Sequence, residues 1–152
     1  MTNLQEDYRD RSSVEQALRE GNIDFSYQNL TGLDLSGLEF LDDTDFTGSD
    51  LASTDMRRVT ALRAIFRFTN LSEFRASYAD FTGSNFYSSQ ADRADFSHAN
   101  LSDCDMCSMR LTRVTLDEQL LPWMPAVVDL GVRMPVYRVD QHGDSDLGTA
   151  AQ

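Results

Sequence analysis

Carboxylates recur along this chain at multiples of five residues, with one extra residue before Asp45, and they have the clearest capacity for binding. The aspartates in this register are Asp24, Asp34, Asp45, Asp50, Asp55, Asp80, Asp95 and Asp105. Fixed negative charges attract basic surfaces and repel nucleic acid, which has the same sign. The spacing therefore predicts an acidic face that binds a protein partner, and it argues against direct binding of nucleic acid.

The whole chain is acidic. Its 152 residues include 25 acidic residues and 13 basic ones, all of them arginine, and the formal net charge is −12. Part of this charge has an ordinary explanation, because an acidic surface also keeps a protein soluble. The length fits one domain, no apolar run is long enough to cross a membrane, and two cysteines are too few for a disulfide framework. We expect a cytoplasmic protein.

The apolar residues indicate the backbone structure that positions these charges. They repeat every five residues between residues 25 and 116, with one extra residue before Phe46. Of nineteen repeat centres, sixteen are Phe, Leu or Met and three are Ala. The residue two before each centre is mostly small or apolar. Positions two apart on extended backbone share a face, so both should point inward and the Asp or Asn between them outward. Neither a helix nor a plain strand keeps this spacing, so the chain must turn at every repeat.

Arginines form a second group of candidate binding residues. This arginine cluster, with its two apolar neighbours, comprises Arg57, Arg58, Arg63, Ile65, Arg67 and Phe68. Arginine beside exposed apolar and aromatic groups is typical of a hot spot in a protein interface. The pattern predicts contact with a partner protein or an acidic ligand. The alternative is that these arginines pair with neighbouring aspartates.

No residue set in the sequence predicts catalysis, and we expect no enzyme and no cofactor. Neither His98 nor His142 accompanies a recognisable nucleophile motif. Cys104 and Cys107 have the spacing of a C-x-x-C motif, but the first should point inward and the second outward. Both thiols therefore cannot bind one metal ion.

One acidic cluster, formed by Asp42, Asp43 and Asp45, could attract calcium. It lacks the regular ligand spacing of an EF-hand loop. We interpret it instead as the place where one extra residue forms a bulge, and we expect no metal site.

Units such as Ala79-Asp80-Phe81-Thr82-Gly83 resemble the A-(D/N)-L-x-x motif of pentapeptide-repeat proteins. The resemblance covers about residues 23–117. It implies an all-β solenoid, namely a right-handed quadrilateral β-helix with four repeats per coil. Centres twenty residues apart should then stack, allowing for the extra residue. The first such column favours this coil length because most of its members are aromatic: Phe25, Phe46, Phe66, Phe86 and Met106.

The family includes DNA mimics that occupy the DNA-binding saddle of type II topoisomerases and protect gyrase from poisons. The resemblance implies that the eight aspartates bind DNA gyrase or topoisomerase IV, and that antibiotic resistance follows. This chain differs from those members in two features. It has fewer than five coils, whereas they are usually longer, and it has no long loop inserted between repeats. The alternative is a scaffold or adaptor that binds another protein through the arginine cluster.

The repeats divide the chain into four segments. Residues 1–22 should form an N-terminal capping helix, with Ser12 as N-cap, Glu15 three residues on and Gly21 as the stop. Residues 23–117 form the repeat region. Residues 118–139 include a stretch too apolar for solvent and should form a C-terminal cap or, as the resemblance to gyrase-protecting members implies, a dimerisation segment. Residues 140–152 have the composition of a disordered tail.

Overall fold

The computed structural model of this chain describes residues 8–117, together with the short segments 138–139 and 145–146. Between residues 24 and 115 the backbone forms parallel bridges that join residues twenty or twenty-one positions apart. Such bridges require the chain to return beside itself once in every four repeats. The repeat region is therefore a stack of coils with four repeats each.

The bridges form four ladders, one for each repeat of a coil, and each contains the outward residue that precedes a repeat centre. Ladder 1 joins Asp24, Asp45, Ile65, Asn85 and Asp105. Ladder 2 joins Asn29, Asp50, Asn70, Gln90 and Arg110. Ladder 3 joins Asp34, Asp55, Arg75, Asp95 and Thr115. Ladder 4 joins Glu39, Thr60, Asp80 and Asn100.

A tight turn follows each repeat centre. The carbonyl oxygen of the centre accepts a hydrogen bond from the N–H three residues on, as in Leu33 N–H to Leu30 O at 3.2 Å. The second residue after the centre has a positive φ, except after Phe40, where the third residue, Asp43, has it; a positive φ is the feature of the third residue in a type II turn. Glycine adopts this φ without strain, as at Gly48, but Tyr27 and Phe68 occupy the same position in other coils.

The turns stack into four columns, which we number after the ladder that each one follows. Turn column 1 contains residues 26–27, 47–48, 67–68, 87–88 and 107–108. Turn column 2 contains residues 31–32, 52–53, 72–73, 92–93 and 112–113. Turn column 3 contains residues 36–37, 57–58, 77–78 and 97–98, and turn column 4 contains residues 41–43, 62–63, 82–83 and 102–103.

The core lies inside the coils and consists mainly of repeat centres. Phe46, Phe66 and Phe86 are fully buried and stack with ring centroids 5.0 Å and 4.8 Å apart. Phe25 extends the stack at 5.5 Å from Phe46, so the predicted column of rings is confirmed. Small hydroxyls two residues before the centres are satisfied by backbone, as where Ser49 Oγ donates to Phe25 O at 2.6 Å.

The extra residue lies at Asp43. Bridges before this point join residues twenty-one apart, as in Asp24 with Asp45, and bridges after it join residues twenty apart, as in Asp45 with Ile65. Asp43 itself has a φ of 63°. The acidic cluster therefore marks a one-residue bulge in a turn, as the sequence indicated.

Helix α1 (Arg11–Arg19) covers the first coil through its buried residues Val14 and Ala17. Its N-cap is Asp10, whose carboxylate accepts a hydrogen bond from Ser13 N–H at 2.9 Å, while Ser13 Oγ lies 3.4 Å from Asp10 N in a capping box. The assignment of Ser12 as N-cap was therefore wrong by two residues. Asp10 replaces it because an aspartate three residues before a serine forms the reciprocal pair.

The ends of the stack are less well buried than its middle. Ile23, which we expected to point inward, is 44% exposed. It precedes the first bridge at Asp24, so no earlier coil lies against it. Cys104 and Met106 in the last coil are also only partly buried.

Two short strands lie beyond the coils. Strand β1 (Arg138–Val139) pairs antiparallel with strand β2 (Ser145–Asp146), which falls within the segment expected to be disordered. The remaining residues of the predicted cap or dimerisation segment and tail lie outside the described residues, and those assignments stay predictions. Within the described residues, no helix is long and apolar enough to cross a membrane.

Candidate functional site

Each of the eight predicted aspartates uses one carboxylate oxygen to hold its own turn. Oδ1 accepts a hydrogen bond from the backbone N–H two residues on, at distances from 2.7 Å at Asp45 to 3.1 Å at Asp55. Asparagine makes the same bond, as at Asn70 with Ser72 N–H at 3.1 Å. The turn therefore needs the oxygen and not the charge, and the second oxygen of each aspartate is left for other contacts.

The eight aspartates do not share one face, contrary to our expectation. They are distributed as Asp24, Asp45 and Asp105 on ladder 1, Asp50 on ladder 2, Asp34, Asp55 and Asp95 on ladder 3, and Asp80 on ladder 4. Ladders 1 and 3 are two repeats apart in every coil and hence half a coil apart. The carboxylates follow the repeat, and the repeat carries them around the coil.

Net charge is nevertheless uneven around the coil. We define the acidic edge as ladder 4, turn column 4 and ladder 1. It has one arginine, Arg63, and eight carboxylates, which belong to Asp24, Glu39, Asp42, Asp43, Asp45, Asp80, Asp103 and Asp105. The opposite edge, formed by ladder 2, turn column 2 and ladder 3, has six carboxylates and four arginines. Most of the uncompensated negative charge therefore lies on the acidic edge.

Hydroxyl groups in the turns also keep aspartates ionised. Ser26 Oγ donates to Asp24 Oδ1 at 2.6 Å, and this hydrogen bond, with that from Ser26 N–H, lowers the pKa of Asp24. Ser36 lowers the pKa of Asp34 in the same way. Both carboxylates are therefore negatively charged well below neutral pH.

Asp55 is the predicted site residue least available to a partner. Its side chain is only 10% exposed, because the Arg57 guanidinium lies over it with Nη2 2.6 Å from Oδ2. Arg75, one coil further along ladder 3, approaches the same oxygen at 3.9 Å. The hydrogen bond from Arg57 lowers the pKa of Asp55, and the pair raises the pKa of Arg57. Asp55 is therefore an internal counterion and not an open binding group.

The acidic cluster at the bulge has a counterion as well. Arg63 donates from Nη2 to Asp42 at 2.8 Å and from Nε to Asp43 at 3.0 Å. Among the described residues, no group of three or more His, Cys, Asp or Glu side chains is placed to hold a metal ion. Arg63 is thus the counterion of Asp42 and Asp43.

The arginine cluster of the sequence divides among different sides of the coil. Arg57 and Arg58 lie in turn column 3 and Arg63 lies in turn column 4, whereas Arg67 and Phe68 lie in turn column 1 beside Ile65 of ladder 1. The cluster therefore is not one binding surface. Local pairing with aspartates, the alternative interpretation, holds for Arg57 and Arg63.

Arg58 and Arg67 contact aromatic rings. The guanidinium carbon of Arg67 lies 5.4 Å from the ring centroid of Phe68 and 5.5 Å from that of Tyr87. Arg58 lies 5.5 Å from the centroid of Tyr78, which in turn stacks on His98 at 4.6 Å. These distances are typical of cation–π contacts.

Sequence analysis did not identify Tyr27 and Tyr87, two aromatic residues in the same turn column as Arg67 and Phe68. Tyr27 is 72% exposed in turn column 1, and its ring lies over Gly48 of the next coil. Tyr87 follows Arg67 in the same column. A comparison of residues twenty or twenty-one positions apart would have found both, because it aligns Tyr27 with Gly48 and Phe68, and Arg67 with Tyr87.

A profile of the family described as Pentapeptide repeats matches eight copies of the repeat in this chain, over residues 41–75, 64–103 and 92–118. These ranges cover more than half of the sequence. The chain belongs to the pentapeptide-repeat family. No curated protein matches it in sequence.

Several solved structures of pentapeptide-repeat proteins resemble this one. One from the cyanobacterium Cyanothece 51142 is 19% identical, with a TM-score of 0.39; the match covers 59% of this chain and 60% of that one. A thylakoid-lumen protein of Arabidopsis thaliana is 16% identical over 80% of this chain and 72% of its own, with a TM-score of 0.42. QnrB1, a plasmid-mediated fluoroquinolone resistance protein, is 20% identical over 62% and 68%, with a TM-score of 0.32.

The cysteines of this pentapeptide-repeat protein are separate thiols. Cys104 points inward, and its Sγ lies 3.1 Å from the carbonyl oxygen of Phe81, to which it donates. Burial raises the pKa of Cys104 to about 12, so this thiol stays protonated. Cys107 is exposed in turn column 1, and the hydrogen bond with Asp105 raises its pKa. The C-x-x-C spacing therefore does not form a joint site.

Proposed function

We propose that this protein is a non-catalytic binding protein that mimics DNA toward a type II topoisomerase, either DNA gyrase or topoisomerase IV. In this proposal the acidic edge occupies the basic surface on which the enzyme binds DNA, and the enzyme is thereby protected from poisons. The observation that carries the proposal is the acidic edge itself, with eight carboxylates against one arginine.

The construction of the edge favours this function over a general acidic surface. On ladder 1 the neighbouring coils bring the strand positions of Asp24 and Asp45 about 4.8 Å apart, and duplex DNA carries one charge per about 1.7 Å of its axis when both strands are counted. Several rows side by side bring the edge toward that density. The hydrogen bond from the turn fixes Asp24, Asp45, Asp80 and Asp105 before binding, so these side chains lose little entropy when a partner binds.

The proposal also includes the handedness of the coils, the cellular compartment and the dimer. The stacked coils form the right-handed quadrilateral β-helix, the protein acts in the cytoplasm, and residues 118–139 join two copies in a homodimer. A dimer would double the length of the acidic edge and compensate for the small number of coils. Gel filtration with light scattering tests the dimer, and a monomeric mass at working concentration would contradict it.

A supercoiling assay tests the proposed function. Gyrase is assayed with relaxed plasmid and topoisomerase IV with supercoiled plasmid. Each assay contains increasing amounts of this protein, in the presence and absence of a topoisomerase poison. We expect inhibition of supercoiling or fewer poison-stabilised DNA breaks at low protein concentration, and the effect should weaken as salt increases because charge contacts are screened. The absence of any effect on gyrase and topoisomerase IV would refute the proposal.

A scaffold or adaptor function is the second candidate, and one observation favours it. Tyr27 and Phe68 are large apolar side chains exposed in turn column 1, which no DNA mimic needs for charge alone. In that case the protein would leave both topoisomerases unaffected and would bind another protein through this column.

A further inference from the structure

Turn column 1 has an aromatic strip, which we define as Tyr27, Phe68 and Tyr87 together with Gly48. Tyr27 is 72% and Phe68 56% exposed. A Cβ on Gly48 would lie only 2.6 Å from Tyr27 Cε1, so the absent side chain makes room for the tyrosine ring. Phe68 and Tyr87 meet edge to face at 5.8 Å. The rings therefore lie along one side of the coil stack and not as isolated exposed residues.

The stability of the coil does not account for aromatic residues in these turns. Tyr27 and Phe68 have φ values of 57° and 56°, a left-handed conformation that is strained for a bulky side chain. Gly48 and Gly83 occupy the same position of the repeat without that strain. Because Gly, Ser and Arg occupy the same position in other turns, the turn does not require a ring, and a contact outside the chain is the better explanation for these exposed aromatic residues.

The structure itself shows which group such rings accept. The guanidinium of Arg67 lies over Phe68 and Tyr87, and that of Arg58 lies over Tyr78. Within the described residues, no arginine lies over the ring of Tyr27 in this way. Tyr27 thus belongs to the same column as Phe68 and Tyr87, which already contact a guanidinium, but its own exposed face has no such contact within the described residues.

Charge around the strip selects the sign of the partner. Asp24 and Asp45 of ladder 1 lie three residues before Tyr27 and Gly48 of turn column 1, and the acidic edge continues from them. An acidic segment would meet repulsion there. A basic one would find carboxylates and aromatic rings side by side.

We propose that the aromatic strip binds arginine side chains of the basic partner. One guanidinium of the partner stacks on Tyr27 and a second on the open side of Phe68, while the carboxylates of Asp24 and Asp45 accept hydrogen bonds from them. Arginine is preferred over lysine because its planar group stacks on a ring and still donates from its edge. The proposal rests on the proposed function for the sign of the partner, and it adds the side-chain chemistry that the strip recognises.

Peptide binding tests the inference without any topoisomerase. Calorimetry compares nona-arginine with nona-lysine, which have equal charge, on the full chain. We expect the wild type to bind the arginine peptide more tightly, and the variant Tyr27→Gly/Phe68→Gly to lose about two- to fivefold for each ring removed. The affinity of this variant for the lysine peptide should fall less, because an ammonium group does not stack on a ring as the planar guanidinium does. Glycine suits the positive φ, so thermal melting should show a folded variant.

A matched control uses the aromatic ring on the other side of the coil. Tyr78 is 58% exposed at the same position of the repeat, with φ of 60°, but it already lies between Arg58 and His98. Tyr78→Gly should leave the preference for arginine unchanged. Equal binding of both peptides by the wild type, an unchanged preference in the double variant, or tighter binding of nona-glutamate would each overturn the inference.

The outcomes separate this inference from the proposed function. An arginine preference that depends on Tyr27 and Phe68, with no effect on gyrase or topoisomerase IV, would refute DNA mimicry and support the strip as an arginine-binding surface. Inhibition of a topoisomerase that does not change in the double variant, together with equal binding of the peptides, would support DNA mimicry and refute the strip.

Discussion

At the residue scale, the two oxygens of an outward aspartate have different tasks. Oδ1 accepts the turn's N–H, and the other oxygen faces solvent or a counterion, as the contrast between Asp45 and Asp55 illustrates. The position of both residues followed from the five-residue spacing alone. The burial of Asp55 did not, because the spacing does not show that the Arg57 side chain folds back over the carboxylate or that the coil brings Arg75 to within 3.9 Å of it.

Asp55 gives a prediction about acid stability. Its pKa is lowered in the folded protein, mainly by Arg57, so its ionised form stabilises the fold above its ordinary pKa near 4 and this contribution is lost as the pH falls. Asp55→Asn keeps the bond to Arg57 N–H but loses the ion pair. We expect a lower urea midpoint than wild type at pH 7 and a smaller difference at pH 3, measured by circular dichroism.

Asp50→Asn serves as the control for this measurement. Asp50 makes the same bond within its turn, but no ion pair with a described residue depends on it. Its replacement should change the midpoint little at either pH. A cost for Asp55→Asn that is the same at pH 3 and pH 7 would show that the ion pair contributes nothing.

At the element scale, the strongest sequence signal was the column of centres twenty residues apart, and the Phe stack follows it. The N-cap of α1 was harder to predict from the sequence, because three favourable N-cap residues lie within four positions: Asp10, Ser12 and Ser13. The residue that caps the helix depends on how α1 packs on the first coil. One contact between them is the hydrogen bond that Arg11 donates to Ser36 O at 2.8 Å. Local sequence could not supply that contact.

The cap can be tested with two alanine variants. Asp10→Ala removes the carboxylate that accepts from Ser13 N–H, and we expect a loss of about 1 kcal/mol in the free energy of unfolding. Ser12→Ala should cost little, since the structure gives Ser12 no capping role. Urea denaturation of both variants decides between the two residues, and a larger cost at Ser12 would restore the original assignment.

The Phe stack predicts where core substitutions are most costly. Phe66 is fully buried between Phe46 and Phe86, so Phe66→Ala should lower the free energy of unfolding by about 3–5 kcal/mol. Met106 occupies the same column in the last coil but is only partly buried. Met106→Ala should therefore cost clearly less. Similar costs in urea denaturation would mean that the stack is not the centre of the core.

At the scale of the whole molecule, position around the coil decides what a charge can do. The sequence predicted eight outward aspartates, yet only four of them lie on the acidic edge: Asp24, Asp45, Asp80 and Asp105. The other four lie on the opposite edge, where four arginines offset part of their charge. The five-residue spacing determines inside and outside, whereas the assignment to an edge requires the twenty-residue coil and its one-residue bulge.

The central claim is that the acidic edge takes the place of DNA on a topoisomerase. The most direct test is displacement of a fluorescent DNA duplex from the enzyme by wild type, by Asp45→Asn/Asp105→Asn on the acidic edge, and by Asp50→Asn/Asp95→Asn on the opposite edge. All four replacements keep the turn oxygen. We predict displacement by wild type, about tenfold weaker displacement by the acidic-edge variant at low salt, and nearly wild-type behaviour of the opposite-edge variant. No displacement by wild type, or equal losses from the two edges, would contradict the claim.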